Sequence, residues 1–200
     1  MQTASGGISQ FSLTRAGARS KKSTFNDNYK QRQNSMQKKV FLAVDLGAGS
    51  GRIMAAVYDG KKIGLEEVAR WASEPVKIGG SFHWEVNNIF KSITDGLRKA
   101  KSIYGGAIVS LGIDTWGVDY GLLGKGDKLL NLPFIYRDSR TDGMMDAVFA
   151  KISKAEIYAK TGIQFMFFNT LFQIMAELEK QGNIDKAESF LMMQIGRAHV

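Results

Sequence analysis

From residue 39 onward, short apolar runs alternate with glycine-containing turns. Three such runs follow one another, each rich in strand-forming residues: Val40–Asp45, Ile53–Tyr58 and Ile63–Trp71. Turn signals separate them at Gly47–Gly51 and at Asp59-Gly60. The pattern predicts three strands in a meander.

The next segment has a helical period. Between Val86 and Tyr104, apolar residues recur every three or four positions and fall on one side of a helix. We expect Asn87 or Asn88 to cap its start and Gly105-Gly106 to end it.

Two more strands and three more helices follow in the pattern. Strands are predicted at Ala107–Ile113 and Val118–Leu123, so the order of elements indicates an α/β fold with a mixed sheet and flanking helices. Helix starts are predicted at Thr141, at Ser153 with Glu156, and at Thr170. Helix ends are predicted at Gly162 and Gly182, and a final strand at Ser189–Met193.

Both ends of the chain differ from this body. Residues 1–35 are polar and basic with no sustained period, so we expect disorder. They could serve as an organelle transit peptide or a basic nucleic-acid arm; we favour upstream sequence translated ahead of a true start at Met36. Residues 194–200 resemble the translation of a sequencing-library adapter, and we expect them to be non-native.

Charge and composition narrow the function. The formal net charge is +8. Residues 1–39 contain eight basic residues and one acid, Asp27. The stretch between that segment and Arg197 contains 18 basic and 18 acidic residues and is neutral. We therefore expect no nucleic-acid partner. No apolar run has the length of a membrane span, and there is no cysteine. His83 and His199 form no metal-ligand spacing. A soluble, cytoplasmic protein without a membrane partner is expected.

Asp45–Arg52 is the first segment with chemical potential. Its glycines allow a tight turn and close approach of a ligand to the backbone, and successive N–H groups in such a turn can bind an anion. Ser50 adds a hydroxyl, Arg52 adds a positive charge suited to phosphate, and Asp45 is placed to hold Mg²⁺. A plain glycine-rich hairpin is the competing interpretation.

Gly112–Tyr120 is the second such segment. Two acids flank a turn that carries Thr115, Trp116 and Gly117. Carboxylates and a hydroxyl can bind sugar hydroxyls, and an aromatic face can lie against a sugar ring. An ordinary hairpin with turn acids is an equal alternative on these residues alone.

Together these motifs resemble a known family. A strand, then D-L-G-x-x-S-x-R, then a second strand is similar to the phosphate hairpin of the actin, hexokinase and Hsp70 superfamily, in particular its FGGY carbohydrate kinases. Gly112–Tyr120 resembles the sugar loop of the rhamnulokinase branch, and three more stretches agree with it in order: His83–Val86, Tyr136–Thr141 and Gly162–Gln173. The resemblance runs from about Lys39 to Met193.

The resemblance implies a ribonuclease H-like, actin-like ATPase N-terminal domain over residues 36–193, truncated relative to the family. It implies ATP-dependent phosphorylation of L-rhamnulose at position 1, with ATP and Mg²⁺. The catalytic aspartate and the adenosine pocket are expected beyond Met193, so residues 1–200 alone should be inactive. The implied site residues are Ala48, Gly49, Ser50, Gly51 and Arg52 for ATP, Asp45 for the metal, and Gly117, Trp116 and Asp119 for the sugar.

Some competing interpretations remain open at this point. Another FGGY kinase, for xylulose, fuculose or glycerol, would share the hairpin. A non-catalytic actin-like ATP-binding protein would share it without needing a sugar loop. For Arg137, Asp138 and Arg140 we favour a structural ion-pair network over direct sugar contact, and for His83 a packed histidine.

Overall fold

The computed structural model describes residues 38–193. The first half of this region is a run of strands and one long helix. Its elements are β1 (Lys39–Leu46), β2 (Ser50–Tyr58), β3 (Ile63–Ala72), β4 (Pro75–Ile78), β5 (Ser81–Trp84), α1 (Val86–Tyr104) and β6 (Ile108–Thr115). The bounds of α1 are those that the sequence predicts.

Shorter elements make up the second half. They are β7 (Tyr120–Gly124), β8 (Lys128–Leu129), α2 (Met144–Phe149), α3 (Lys154–Thr161), α4 (Thr170–Ala176) and β9 (Ser189–Met192). After α4 the chain continues as a π-helical turn, Glu177–Gln181, and Gly182 ends it with a φ of 64°. The end of this helical segment at Gly182 is as predicted.

One four-stranded sheet organises the first half. Its strand order is β3-β2-β1-β6. The β1–β2 and β2–β3 pairs are antiparallel, as a meander requires, and β6 lies parallel to β1. A parallel neighbour needs a crossover connection, and α1 supplies it. The predicted α/β fold with a mixed sheet is confirmed.

The first core lies between this sheet and α1. Val44, Ile53 and Ala100 are fully buried there. Gly96 of α1 lets the helix approach the sheet closely, because a Cβ at that position would lie 2.6 Å from Ile53 Cδ1.

A second core forms among the short helices. Its buried residues come from α2, α3 and α4: Met144, Val148, Ile157, Phe172 and Ala176. Strand β7 stands at the centre of a separate sheet of order β8-β7-β9, with both partners antiparallel to it. This part of the molecule packs behind the turn that joins β6 to β7.

Two of the predicted helix N-caps are wrong and a third is right. Glu85 caps α1 in place of Asn87 or Asn88, and its carboxylate accepts from the N–H of Asn87. Thr141 closes a short 3₁₀ turn, and α2 starts only after Gly143, whose φ is 80°. Ser153 caps α3 as expected by accepting from the N–H of Glu156.

No helix of residues 38–193 is long and apolar enough to span a bilayer. The expectations for residues 1–35 and 194–200 lie outside the described residues.

Candidate functional site

The parallel pairing of β1 with β6 joins the two chemistry-bearing segments. In this register Asp45 lies opposite Asp114, and Leu46 lies opposite Thr115. Parallel neighbours run in the same direction about 4.8 Å apart. The glycine hairpin after β1 and the turn after β6 therefore leave the sheet side by side, at the edge formed by the carboxyl ends of these two strands.

The hairpin tip presents free backbone donors. The N–H of Gly47 donates to the carbonyl of Ser50 at 2.9 Å, which closes the turn around Ala48 and Gly49. Within residues 38–193, the N–H groups of Ala48 and Gly49 find no acceptor. Gly49 is exposed and Ala48 is half-buried. Two accessible N–H groups in one tight turn are free to donate to an anion.

The three glycines of the hairpin do different work. A Cβ on Gly47 would lie 3.0 Å from the Ser50 carbonyl oxygen, so the turn leaves little room for a side chain there. A Cβ on Gly49 would meet nothing within 4 Å and would project into open space. Gly51 is buried, and a Cβ there would lie 2.7 Å from Trp71 Nε1. Gly51 is thus needed by the neighbouring strand, whereas Gly49 leaves space for a ligand.

An ion pair stands beside the hairpin. Arg52 donates through Nε to Oδ2 of Asp45 at 2.7 Å, and its Nη2 lies 2.7 Å from the same oxygen. Both side chains are partly open to solvent, and Oδ1 of Asp45 accepts no hydrogen bond within the described residues. The pair places a cation and a free carboxylate oxygen at the edge where Asp114 is also exposed.

Asp119 anchors the second turn from inside. Its Oδ2 accepts from the indole N–H of Trp84 at 2.6 Å and from that of Trp116 at 2.9 Å. The two indole rings pack against each other with centroids 4.7 Å apart. The turn after β6 is therefore fastened to β5 through a buried carboxylate.

Asp119, which the sequence predicts as a sugar ligand, lies in a buried environment. Its side chain is fully buried, and Gln173 and the N–H of Tyr136 contact the carboxylate as well. Burial raises the pKa of Asp119, against the lowering by its hydrogen-bond donors. Both oxygens of the carboxylate therefore accept from donors inside the domain.

The backbone of the turn is strained next to Gly117. Val118 has a φ of 68°, which is rare for a β-branched residue. Its carbonyl is held by Thr170 Oγ1 at 2.9 Å and by Gln173 Nε2 at 3.1 Å. This conformation explains why β7 begins at Tyr120 and not at Val118. Strain that is held by neighbours is typical of functional turns.

A buried ion pair supports the turn from below. Arg140 donates to Glu177 at 2.9 Å and to Gln173 at 3.2 Å. Its guanidinium also lies 3.9 Å from the ring centroid of Phe134. Arg140 Nε and Glu177 Oε1 have no partner within residues 38–193, so the pair is not fully satisfied.

Of the three residues for which an ion-pair network is predicted, only Arg140 forms an ion pair within residues 38–193, and its partner is Glu177. Asp138 is buried and accepts from the N–H groups of Phe82 and Arg140. Arg137 lies on the surface and donates to the hydroxyl of Tyr136. His83 is packed against Phe134 and makes a 2.8 Å hydrogen bond to the carbonyl of Leu132.

Two residues of the edge lie outside the predicted site set. Asp114 is brought opposite Asp45 only by the strand register, although both acids follow an apolar strand in the sequence. Thr115 contributes a buried hydroxyl that has no partner in the described part of the chain. The repeated strand-then-acid pattern is the signal that could have indicated Asp114.

Comparison with known proteins identifies the class. Residues 40–194 match the FGGY family of carbohydrate kinases, N-terminal domain. The chain belongs to this family, as its hairpin and turn motifs predict.

The curated relatives narrow the resemblance. The chain is 47% identical over 137 residues to the rhamnulokinase of Bacteroides thetaiotaomicron, which covers 68% of this chain and 28% of that protein. It is 44% identical over 153 residues to the rhamnulokinase of Oceanobacillus iheyensis, covering 76% of this chain and 32% of that one. The chain thus spans about a third of the length of the curated relatives it matches.

Solved structures agree on the fold. Gluconate kinase from Lactobacillus acidophilus matches with a TM-score of 0.66 at 15% identity, over 77% of this chain and 31% of that one. Plasmodium falciparum glycerol kinase with ADP matches with a TM-score of 0.61 at 17% identity, over 80% and 33%. The actin-like ATPase fold is confirmed for residues 38–193.

Proposed function

We propose that the intact gene product phosphorylates the position 1 hydroxyl of L-rhamnulose with ATP. The observation that carries this proposal is the β1–β6 register, which sets the glycine hairpin beside the turn of Gly117. Phosphoryl transfer depends mainly on positioning and on charge stabilisation, so a phosphate site next to a sugar site is the required arrangement. The similarity to rhamnulokinases supports the choice of sugar.

The hairpin is the phosphate side of this arrangement. The free N–H groups of Ala48 and Gly49 would bind phosphate oxygens, and Ser50 would add its hydroxyl. Arg52 lies close enough to the same edge to add a positive charge. Gly51 would contribute indirectly, since its missing side chain lets Trp71 pack behind the hairpin.

The acids at the edge fit a magnesium ion. Mg²⁺ prefers oxygen ligands and is usually held by one or two carboxylates together with phosphates and waters. Asp45, with a free Oδ1, and the exposed Asp114 provide that donor set on adjacent strands. Asp45 would hold the ion, and the ion would neutralise charge on the phosphates.

The turn after β6 is the sugar side. Gly117 would let the ketose approach the backbone, and Trp116 would lie against it. Asp119 would hold both in place from inside through the Trp116 indole. We assign no general base among residues 38–193. The kinase would act in the cytoplasm, with the sugar and ATP as its partners and neither nucleic acid nor membrane.

Steady-state kinetics of the intact gene product test the proposal. L-rhamnulose, D-xylulose, L-fuculose and glycerol are compared by ADP release, and ³¹P NMR locates the phosphate on the product. We expect the highest kcat/KM with L-rhamnulose and a 1-phosphate product. ADP release that no sugar stimulates, or a clear preference for another substrate, would contradict the proposal.

A pair of valine substitutions distinguishes an effect on phosphate binding from an effect on folding. Gly49→Val fills open space at the hairpin tip, and Gly64→Val fills equally open space in β3. We expect Gly49→Val to raise the KM for ATP by about tenfold or more, a loss of about 1.4 kcal/mol. Gly64→Val should leave it unchanged. Equal effects of the two variants would argue against a phosphate site at the tip.

A further inference from the structure

We propose that Ser73 is a positioning residue that sets the direction of the Ala48 N–H, one of the two phosphate-binding donors proposed for the hairpin. This inference rests on the proposed function, because it assigns the hairpin to ATP. It concerns a residue outside the motif, in the segment that follows β3.

Ser73 holds the hairpin tip at two points. Its Oγ donates to the carbonyl of Gly47 at 3.1 Å, across 26 residues of sequence. Its N–H donates to the carbonyl of Gly49, also at 3.1 Å. Ser73 is only 6% exposed, so water competes little for these bonds.

Peptide geometry converts these bonds into an orientation. In a trans peptide unit the C=O and the N–H of the following residue point in opposite directions. When Ser73 holds the Gly47 carbonyl toward β3, the N–H of Ala48 is turned away from β3. The bond to the Gly49 carbonyl does the same for the N–H of Ser50. The N–H of Ala48, one of the two donors proposed to meet phosphate, is thereby aimed before the nucleotide arrives.

The position of Ser73 follows from the sheet register. Ser50 pairs with Ala72 and Gly51 pairs with Trp71, so the residue after Ala72 reaches the tip of the β1–β2 turn. The Trp71 ring lies directly on Gly51, where the absence of a side chain allows it. Strand β3 thus supports the hairpin along the whole of β2, and Ser73 adds hydrogen bonds at the end that faces the proposed ligand.

A preorganised donor array and a simple structural contact make different kinetic predictions. If Ser73 only stabilised the fold, its loss would reduce the fraction of active enzyme and therefore kcat, while both KM values stayed the same. If it aims the donors, its loss weakens phosphate binding and raises the KM for ATP. The KM for the sugar is the internal reference, because within residues 38–193 the hydrogen bonds of Ser73 go to the hairpin and none goes to the turn after β6.

The test compares three variants of the intact gene product. Ser73→Ala removes the hydroxyl bond, and Ser73→Thr retains a hydroxyl. Ser102→Ala is the control, since Ser102 also donates to a backbone carbonyl, that of Lys99, but on exposed α1. The KM for ATP, the KM for L-rhamnulose and kcat are measured for each.

We expect Ser73→Ala to raise the KM for ATP about tenfold with the KM for L-rhamnulose unchanged. Ser73→Thr should recover most of the loss, and Ser102→Ala should match the wild type. A Ser73→Ala enzyme with an unchanged KM for ATP, or with both KM values raised equally, would overturn the inference. If the wild type shows no sugar-dependent ADP release, the proposed function itself fails, and that result is distinct from either.

Discussion

Two ion pairs of this domain have similar geometry and opposite surroundings. Asp45 and Arg52 are joined at 2.7 Å with 44% and 43% of their side chains exposed. Glu177 and Arg140 are joined at 2.9 Å with 1% and 3% exposed. The first pair lies beside the proposed phosphate hairpin, and the second lies beneath the proposed sugar turn.

The difference in exposure implies different roles for the two ion pairs. A pair in solvent gains little from its own attraction, and each partner remains available to a ligand. A buried pair cannot exchange partners without leaving a charge in a low-dielectric interior. The exposed pair thus suits the ligand binding proposed for the hairpin, whereas the buried Arg140 network holds a strained turn in one conformation.

The largest effect is expected from breaking the buried pair. Glu177→Ala leaves the Arg140 guanidinium without its carboxylate, and we expect a loss of about 3–5 kcal/mol in the free energy of unfolding. Urea unfolding of the 200-residue chain measures it. The double variant Arg140→Met with Glu177→Leu removes both charges and should lose much less, since both members leave a polar atom unpartnered. A single variant that loses under about 1 kcal/mol would contradict the assignment.

Removing an indole donor from Asp119 is expected to have the next largest effect. Trp84→Phe deletes the 2.6 Å bond, and hydrogen bonds to charged groups contribute about 1.5–3 kcal/mol. Asp119 already has a raised pKa in the folded protein, so its contribution to stability is greatest at low pH and is lost as pH rises through that pKa.

Loss of the donor raises the pKa of Asp119 further. The stability deficit of Trp84→Phe should therefore grow as pH rises from below the ordinary pKa of an aspartate through the raised pKa of Asp119. Unfolding measured across this range checks the sign, and the deficit near the acid end reports the smaller ring together with the bond to a neutral carboxyl. A deficit independent of pH would mean that the bond to Asp119 is not what the variant lost.

The local parts of this architecture could be predicted from the sequence, and the long-range parts could not. The bounds of α1 follow from a helical period closed by Gly105, and the meander follows from turn signals between apolar runs. Nothing local shows that Asp45 and Asp114 share an edge, because their pairing joins strands separated by α1.

The burial of Asp119 could not be predicted from the sequence either. Its segment is polar and resembles an exposed turn, while the donors that enclose it come from Trp84 and Gln173, far away in sequence. The same applies to Ser73, which lies outside every motif and reaches the hairpin only through the β2–β3 register. The contacts of such residues can be recognised only once the pairing of the strands is known.

A methyl group behind the hairpin is expected to have a moderate effect. Gly51→Ala forces the Trp71 ring off β2, and overpacking of this kind costs about 1–3 kcal/mol. Thermal unfolding of the chain measures the loss. Adding Trp71→Phe, which offers a smaller ring, should recover part of it. If Gly51→Ala is fully stable, the ring has room to move and Gly51 is not explained by packing.

The smallest effect on stability is expected at the exposed pair, and there it is informative. A double-mutant cycle with Asp45→Asn and Arg52→Gln should give a coupling energy of about 0.2–1 kcal/mol that shrinks in salt. The same variants should each raise the KM for ATP of the intact gene product by much more than their stability cost implies, because each also removes a proposed ligand contact. A coupling of several kcal/mol, together with unchanged nucleotide kinetics, would place this pair in the same class as Arg140 and Glu177. The division of the domain into a binding edge and a supporting interior would then be wrong.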